Sequence, residues 1–283
     1  MVHFADALAW YSSPIVELSQ VAEGTYRVRL TSPDIARKCI PGQFVMVRVA
    51  GAVDPLIGRA LAIFDRYSGA DGSWEGIDVI FVAKGKFTSA VARMQVGQKL
   101  ELWGPLGNGF SNEPVDHLIL VAGGVGETPM LTYGQEALGK QRFGEDRTHG
   151  YAKRVTLCYG ARTAKYLACI EQFERSGMEV VVSTDDGTRG LRQQVTASLK
   201  QVLDRSTDSC RIACCGPEPM MHAVSLIAEE RGVPCQVSLE TPMACGIGIC
   251  FTCVAKVRDE QGWDYKRTCV EGPIFDACKI DWS

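Results

Sequence analysis

The chain has 283 residues, of which 46% are hydrophobic and 22% charged, and its formal net charge is −3. This composition is typical of a globular protein of two or three domains. The small negative charge argues against nucleic-acid binding, and no apolar run approaches the roughly 18 residues of a membrane span. The N-terminal Met-Val-His-Phe-Ala-Asp has no signal-peptide features. We therefore expect a cytoplasmic protein with neither a nucleic-acid nor a membrane partner.

The first part of the chain is predicted to consist of short strands. Six segments rich in β-branched and apolar residues are separated by turn sequences such as Ser32-Pro-Asp34: 14–21, 24–30, 43–49, 59–65, 76–83 and 99–104. With one helix predicted at 88–94, they indicate a small antiparallel barrel of six strands, and a β-sandwich is the alternative. We assign residues 1–112 to this domain.

Strands and helices alternate in the middle of the chain. Strands are predicted at 117–122, 154–159, 178–183 and 210–214, and helices from about 129 to 138, at 164–176, at 191–203 and at 217–231. This alternation indicates a doubly wound parallel sheet that binds its ligand at the carboxyl ends of the strands. We assign residues 113–232 to this α/β domain and residues 233–283 to a small cysteine-rich unit, so the fold class is multidomain, α+β and α/β.

Two loops that follow sheet strands are candidates for binding a dinucleotide. The first, Gly123-Gly-Val-Gly-Glu-Thr-Pro129, contains only the first half of the dinucleotide fingerprint and by itself is no stronger than an ordinary strand–helix turn. The second, Cys215-Gly-Pro-Glu-Pro-Met220, also opens a helix. Two such loops would flank one crevice, with diphosphate at a helix N-terminus. The candidate residues are Gly123, Gly124, Gly126, Thr128, Gly216 and Pro217.

Four cysteines near the C-terminus form a metal-type motif. Cys245, Cys250 and Cys253 have C-x4-C-x2-C spacing, and Cys269 follows. This arrangement is typical of a plant-type [2Fe–2S] cluster, whereas structural zinc sites usually use two short C-x2-C pairs. Glycines at 246 and 248 allow φ > 0 and a close approach of backbone N–H groups to sulfur. Zinc remains the alternative, and Cys278 is a spare candidate ligand.

Several motifs together resemble the ferredoxin–NADP reductase superfamily. They are Pro41-Gly-Gln-Phe44, Arg59-Ala-Leu-Ala62, Gly85-Lys-Phe-Thr88 and the Cys-Gly-Pro-Glu-Pro-Met turn. The cysteine motif, Gly104-Pro-Leu-Gly-Asn-Gly-Phe110 and Cys269-Val-Glu-Gly-Pro-Ile-Phe275 are similar to the family of electron-transfer subunits of NAD-dependent (class 1B) dihydroorotate dehydrogenases. Two residues depart from the superfamily pattern, because alanine stands at 60 for a proline and phenylalanine at 87 for a glycine.

The resemblance implies that the barrel binds FAD. Arg59 would offer a fork of donors to the diphosphate, and Thr88 a hydroxyl and a backbone N–H, although a surface arginine and an ordinary helix cap are the alternatives. Residues 80–82 would line the flavin or belong only to the strand core. The implied flavin-contacting residues are Arg59, Ala60, Leu61, Ala62, Ile80, Phe81, Val82, Gly85, Phe87 and Thr88.

The resemblance also implies sites for NAD. Cys215 would lie near the nicotinamide and the flavin edge as the catalytic candidate, and a buried structural thiol is the alternative. Asp185 and Asp186 follow the third sheet strand, where they would accept a bond from a ribose hydroxyl; a solvated turn is the alternative.

The implied activity is that of an oxidoreductase subunit. It would transfer electrons between NAD and a partner through FAD and a [2Fe–2S] cluster. The partner would be an FMN-containing catalytic subunit that oxidises dihydroorotate to orotate in pyrimidine synthesis, in a heterotetramer with two copies of each chain. The alternatives are another reductase subunit of the superfamily, acting with ferredoxin or in sulfite reduction, and a zinc-stabilised binding module.

Overall fold

The structure, a computed structural model, describes residues 8–283. The N-terminal hexapeptide used in the localisation prediction lies outside that range. Six strands come first: β1 Ala9–Ala22, β2 Thr25–Thr31, β3 Phe44–Val49, β4 Arg59–Ser68, β5 Trp74–Val82 and β6 Lys99–Leu106. They close into an antiparallel barrel in the order β1-β2-β5-β4-β3-β6. The predicted barrel is confirmed, and the β-sandwich alternative is wrong.

Two short helices accompany the barrel. Helix α1, Pro33–Lys38, stands where the sequence predicted only a turn, because its first-turn proline is compatible with a helix N-terminus and Ile35 is buried in the barrel core. Helix α2, Lys86–Val91, begins two residues before the predicted start and buries Phe87 in the same core.

The second domain is built on a seven-stranded sheet. The remaining strands are β7 Val115–Gly123, β8 Ala152–Ala161, β9 Glu179–Thr184, β10 Leu191–Arg192, β11 Cys210–Cys215, β12 Cys235–Ser238, β13 Val254–Asp259, β14 Gly262–Arg267 and β15 Ile274–Asp276. The sheet order is β10-β9-β8-β7-β11-β12-β15, parallel except for the antiparallel edge strand β15. The predicted parallel nucleotide-binding sheet is confirmed.

Helices cover both faces of this sheet. They are α3 Met130–Ala137, α4 Ile170–Arg175, α5 Val195–Arg205 and α6 Glu218–Glu230. One face packs on α3, α4 and the barrel residues Phe64 and Ile80, and the other packs on α5 and α6. The barrel and the sheet therefore share a continuous core, which determines their relative position.

Two helix predictions need correction. The helix predicted at 164–176 is interrupted, because Cys169 has a left-handed backbone (φ 56°) and α4 begins only after it. The helix predicted at 191–203 begins at Val195, because Leu191–Arg192 pairs with β9 as a short edge strand.

The C-terminal unit is partly integrated into the nucleotide-binding sheet. Strands β12 and β15 belong to that sheet, so the sheet extends beyond residue 232 and the predicted domain boundary remains a proposal. The cluster loop and the antiparallel hairpin β13–β14 lie outside it. In residues 8–283 no helix is both long enough and apolar enough to cross a membrane.

Candidate cofactor-binding site

The four predicted cluster thiols come together as two pairs. The Sγ atoms of Cys253 and Cys269 lie 3.1 Å apart, and both residues are buried. The other two, Cys245 and Cys250, lie towards solvent and interact with each other through their thiols. Cys278 is exposed in a turn beside β12 and lies near Cys235, so the structure brings Cys269 to the loop instead.

The paired arrangement fits a two-iron cluster. In residues 8–283, no three Cys, His, Asp or Glu side chains surround one point as the ligands of a single ion would. A structural zinc needs four ligands around one ion, whereas a [2Fe–2S] cluster presents two irons to four thiolates. Two adjacent thiol pairs therefore match the donor set of the cluster better than that of zinc.

The loop also presents backbone N–H groups to sulfur. The amide of Ile247 donates to Cys245 Sγ at 3.4 Å, and the amide of Gly248 bonds to Cys269. Gly246 and Gly248 have φ of 73° and 82°, as predicted. A Cβ on Gly246 would lie 2.5 Å from Met46 Cγ, so this position requires glycine for space as well as for backbone conformation.

One thiol of each pair has a shifted pKa. Hydrogen bonds from the Thr252 side chain and backbone lower the pKa of the Cys250 thiol to about 6. Burial raises the pKa of Cys269 to about 12. Iron binding requires thiolates, so Cys250 is close to its ligating form at neutral pH and Cys269 must lose its proton to the metal.

The barrel holds the cluster loop. Trp103 Nε1 on β6 donates to the Cys245 carbonyl oxygen at 3.0 Å. The buried thiols share a small apolar core with β3 and β6 side chains, and Ala60 of the predicted flavin strand packs against it. Ala60 of the predicted flavin strand thus lies beside the core that contains Cys253 and Cys269.

At the predicted diphosphate site both candidate side chains make local hydrogen bonds. Arg59 is exposed, and its guanidinium donates to the carbonyls of Ile57 and Gly58 at 3.0 and 3.1 Å. Thr88 Oγ1 accepts hydrogen bonds from the amides of Lys84 and Gly85 at 3.0 and 3.1 Å. It therefore caps the N-terminus of α2, which is the alternative role given for it in the sequence analysis. A role for either residue towards flavin remains a prediction.

The other predicted flavin residues point in different directions. Phe81 and Phe87 are buried in the barrel core, and Phe81 stacks on Tyr26 with ring centroids 5.9 Å apart. Their side chains therefore face away from any ligand outside the barrel, and only their backbones remain candidates. Ile80 lies in the core between barrel and sheet, and Val82 is half-buried at the end of β5.

The two dinucleotide loops meet as the sequence predicts. Strands β7 and β11 are neighbours, and their ends pair at Ala122 and Cys215. A Cβ on Gly126 would lie 2.2 Å from the Cys215 carbonyl oxygen, and one on Gly216 would lie 3.0 Å from the amide nitrogen of Gly123. Glycine at these positions lets the loops approach each other at the carboxyl edge of the sheet. Thr128 Oγ1 donates to the carbonyl oxygen of Val125, 3.0 Å away.

The predicted nicotinamide and ribose residues also lie at this edge. Cys215 is half-buried, and burial raises the pKa of its thiol to about 12, so it is a neutral thiol at physiological pH. Asp186 Oδ1 accepts from the amide and hydroxyl of Thr188 at 3.0 and 2.7 Å, which occupies it in a turn. Asp185 is exposed beside it, so Asp185 is the better candidate for a ribose.

Sequence reasoning missed a buried acid in the first loop. Glu127 is fully buried, and neither carboxylate oxygen has a hydrogen-bond partner among residues 8–283. Burial raises the pKa of this carboxyl to about 8. Its neighbours include the Cys215 and Cys169 thiols and the Tyr159 hydroxyl. The only sequence signal is an acidic residue inside a loop whose other members are small or apolar.

Sequence reasoning also missed how two family-like segments meet. Asn108 Nδ2 donates to the carbonyls of Glu271 and Ile274 at 3.1 and 2.8 Å, and its Oδ1 accepts from the Ile274 amide at 2.9 Å. The segment leaving the barrel is thereby joined to the segment that follows Cys269. This contact helps to hold Cys269 beside the cluster loop.

Comparisons with known proteins agree with this geometry. The family model described as the iron-sulfur cluster binding domain of dihydroorotate dehydrogenase B matches residues 240–281, and the oxidoreductase NAD-binding domain matches residues 120–226. Both matches confirm predicted cofactor types. The NAD-binding match covers the two loops and the sheet strands between them.

The chain is similar to curated proteins along most of its length. It is 33% identical to the dihydroorotate dehydrogenase B (NAD(+)) electron transfer subunit of Desulforamulus reducens, covering 96% of this chain and 98% of that protein. It is 32% identical to the subunit of the same name from Caldanaerobacter subterraneus subsp. tengcongensis, covering 93% of each.

Solved structures share the fold. The NADH-dependent reduced ferredoxin-NADP oxidoreductase, described in connection with flavin-based electron bifurcation, superposes with a TM-score of 0.79 at 27% identity, covering 96% of this chain and 90% of that one. The ferredoxin reductase of carbazole 1,9a-dioxygenase has a TM-score of 0.65 at 20% identity, covering 80% of this chain and 67% of that one, and supports the fold alone. Together these comparisons confirm the predicted superfamily and the oxidoreductase class. The chain belongs to the family of dihydroorotate dehydrogenase B electron transfer subunits.

Proposed function

We propose that this chain transfers electrons between NAD and the catalytic subunit of a dihydroorotate dehydrogenase, through FAD on the barrel and a [2Fe–2S] cluster on the cysteine loop. One observation carries the proposal. Ala60 of the predicted flavin strand packs against the core that contains Cys253 and Cys269, so one side of the barrel would serve both redox groups. The partner subunit would carry FMN and oxidise dihydroorotate to orotate in pyrimidine synthesis, in an assembly of two copies of each chain.

The chain's residues position and tune the groups and need not act as acids or bases on a substrate. When bound, the flavin exchanges a hydride with NAD and exchanges single electrons with the cluster. The pair Cys245 and Cys250 would hold one iron, and the pair Cys253 and Cys269 the other. Amides of the loop, aimed at sulfur, favour the more negative state of a cluster and so raise its reduction potential.

The FAD and NAD diphosphates would be held at two separate sites, one on the barrel and one on the nucleotide-binding sheet. The Arg59 guanidinium can exchange its two backbone acceptors, Ile57 and Gly58, for the oxygens of the FAD diphosphate, which bind more strongly because they are charged. The NAD diphosphate would lie at the Gly123–Gly126 loop, and its nicotinamide beside Cys215. That placement puts the nicotinamide at the joint between the sheet and the barrel.

The partner would approach the cluster loop. Ile249 and Phe251 project from the loop between the cysteines with most of their surfaces exposed. Exposed apolar side chains beside the redox group are the expected feature of a surface that another redox subunit covers. Electrons could then pass between the partner and the exposed cysteine pair over a short distance.

A second candidate function comes from the structural comparison. The solved structure with a TM-score of 0.79 is an NADH-dependent reduced ferredoxin-NADP oxidoreductase, so the same fold serves an enzyme that uses a different partner. An equivalent role here would require another flavoprotein or ferredoxin in place of the dihydroorotate-oxidising subunit. The choice of partner, measured directly, separates the two functions.

The test is a dihydroorotate:NAD assay with the cofactor-loaded chain, alone and mixed with the catalytic subunit encoded by the same organism. We expect the chain alone to oxidise NADH with artificial acceptors but not to turn over dihydroorotate, and the mixture to gain that activity. Hydrogen exchange at residues 245–253 should slow in the complex. Turnover of dihydroorotate by this chain alone, or no gain on mixing, would contradict the proposal.

A further inference from the structure

The hairpin β13–β14 carries an exposed row of aromatic and cationic side chains next to the cluster. Trp263 and Tyr265 are 51% and 57% exposed, and their rings meet edge to face with centroids 5.2 Å apart. Lys256 Nζ lies 4.5 Å from the Trp263 centroid. About half the surface of each aromatic ring is exposed to water, and burying that apolar surface against a partner would be favourable.

These side chains share one face of the hairpin. Lys256 pairs with Tyr265 and Arg258 pairs with Trp263 across the ladder, and directly paired residues project to the same side. The opposite face, which includes Val257, packs into the core of the nucleotide-binding domain. The inner face of the hairpin is therefore fixed to the nucleotide-binding domain, and the outer face is exposed to solvent.

This row is continuous with the cluster loop. The hairpin begins directly after Cys253 and ends two residues before Cys269. Arg267, at its base, donates to the Gly248 carbonyl oxygen at 2.9 Å and covers the Phe251 ring at 5.1 Å. From Arg267 to Trp263 the strand extends about 13 Å, at about 3.3 Å per residue. A molecule docked on the loop tip would therefore lie alongside the hairpin.

The backbone holds Phe251 in an outward position. Phe251 has φ of 55°, a conformation that costs a bulky residue free energy, and yet its side chain is 64% exposed. Burial of the ring inside this chain therefore does not offset that cost. Its interaction with the Arg267 guanidinium links the loop tip to the row on the hairpin.

We propose that the outer face of β13–β14, formed by Trp263, Tyr265, Lys256, Arg258 and Arg267, is a docking surface for the catalytic subunit, with Arg258 placed to meet a carboxylate of that subunit. Tryptophan, tyrosine and arginine are the residues that dominate binding energy at protein interfaces. Within this chain Lys256 pairs with Asp281 at 2.6 Å and Arg267 pairs with Glu271 at 3.1 Å. Arg258 is exposed and has no such pair among residues 8–283, so it favours a carboxylate on the partner, and the anchored hairpin needs little ordering on binding. This inference rests on the proposed function, because that function supplies the partner and its approach to the cluster.

The first test measures binding of the purified catalytic subunit to the cofactor-loaded chain. The double variant Trp263→Ala/Tyr265→Ala should raise the Kd at least tenfold, whereas Leu226→Ala, an equally exposed residue on α6, should not. Dihydroorotate:NAD turnover should fall at low partner concentration and recover when the partner is in excess. Iron content and NADH oxidation with artificial acceptors should stay at wild-type values.

A charge-reversal variant keeps the proposal testable if the double variant misfolds. Arg258 is exposed on the hairpin, so Arg258→Glu should leave the core intact, slow association several-fold and weaken its dependence on salt concentration. A Kd within twofold of wild type for both Arg258→Glu and the double variant would overturn the proposal while leaving the proposed function intact. Failure of the wild-type chain to bind the subunit would instead contradict the proposed function.

Sedimentation of the chain without its partner tests whether the outer face of the hairpin instead binds a second copy of this chain. We expect wild type and the double variant to have the same oligomeric state. A wild-type self-association that the double variant abolishes, together with unchanged partner affinity, would assign this face to a contact between copies of the chain and overturn the proposal.

Discussion

The indole nitrogen of Trp103 donates a hydrogen bond to the carbonyl oxygen of Cys245, 3.0 Å away, and so joins the last barrel strand to the first predicted cluster ligand. Removing this donor while keeping an aromatic ring should loosen the loop. We expect Trp103→Phe to lower the free energy of unfolding by about 1 kcal/mol, the usual net worth of one hydrogen bond, and to speed loss of iron to a chelator. Trp74→Phe, on the barrel strand β5, is the control. Identical chelation rates for both variants would show that this bond does not hold the loop.

The fourth cluster ligand can be tested by comparing two cysteines. Cys269 lies 3.1 Å from Cys253, Sγ to Sγ, whereas Cys278 lies beside Cys235. Cys269→Ser should therefore lose most iron and acid-labile sulfide while FAD remains bound, and Cys278→Ser should keep both. Metal and sulfide analysis with visible absorbance checks this. A full cluster in the Cys269→Ser protein would reject that ligand.

Arg59 is predicted to bind the flavin diphosphate through charge-assisted hydrogen bonds. Arg59→Ala should weaken FAD binding by about 1.5–3 kcal/mol, which fluorescence of released FAD can measure. Arg37→Ala removes an exposed arginine of α1 that pairs with Asp34 and should leave the affinity unchanged. If the two variants retain FAD equally well, Arg59 is only a surface residue of its strand.

The buried acid Glu127 makes stability depend on pH. Its pKa in the folded chain, about 8, lies above the ordinary value of 4.5, so the folded form holds its proton where the unfolded form has lost it. The stabilising contribution is complete below pH 4.5 and is lost as pH rises towards 8, by about 1.4 kcal/mol per pH unit. Glu127→Gln removes this dependence, so its stability relative to wild type should rise between pH 5 and pH 8.

A buried acid with partners provides the control for that experiment. Glu136 is also buried, but its carboxylate pairs with Arg147 at 2.7 Å and accepts from Tyr151 at 2.9 Å. Glu136→Gln should destabilise the chain at both pH values, because it breaks a buried ion pair. Urea denaturation midpoints measure both variants. A Glu127→Gln difference that does not change with pH would show that Glu127 is ionised or solvated in the folded chain.

Asp185 is expected to favour NAD over NADP, because a carboxylate accepts from a ribose hydroxyl and repels a 2′-phosphate. Asp185→Ser should raise kcat/KM for NADPH relative to NADH roughly fivefold in an assay with an artificial acceptor, since one charge repulsion in water is worth about 1 kcal/mol. Asp204→Ser, on α5, is the control. Equal use of both cofactors by wild type would argue against a ribose contact at Asp185.

The sequence by itself determined the elements whose signals are local. Alternating and continuous apolar runs predicted all six barrel strands and the central strands of the nucleotide-binding sheet, because side-chain periodicity follows directly from backbone geometry. Cysteine spacing predicted the cluster loop, because Cys245, Cys250 and Cys253 are close in sequence and lie within one turn-rich segment. Its glycines at 246 and 248 have the positive φ that this spacing suggested.

Only the tertiary structure decided how distant segments meet. It brought Cys269 rather than Cys278 to the loop, through contacts such as those of Asn108 with Ile274. It added β15 to the nucleotide-binding sheet and buried Glu127 with no hydrogen-bond partner in the part of the chain that the structure describes. None of these features has a local pattern, because each depends on packing between residues far apart in the chain, and sequence periodicity describes only which face of an element is buried.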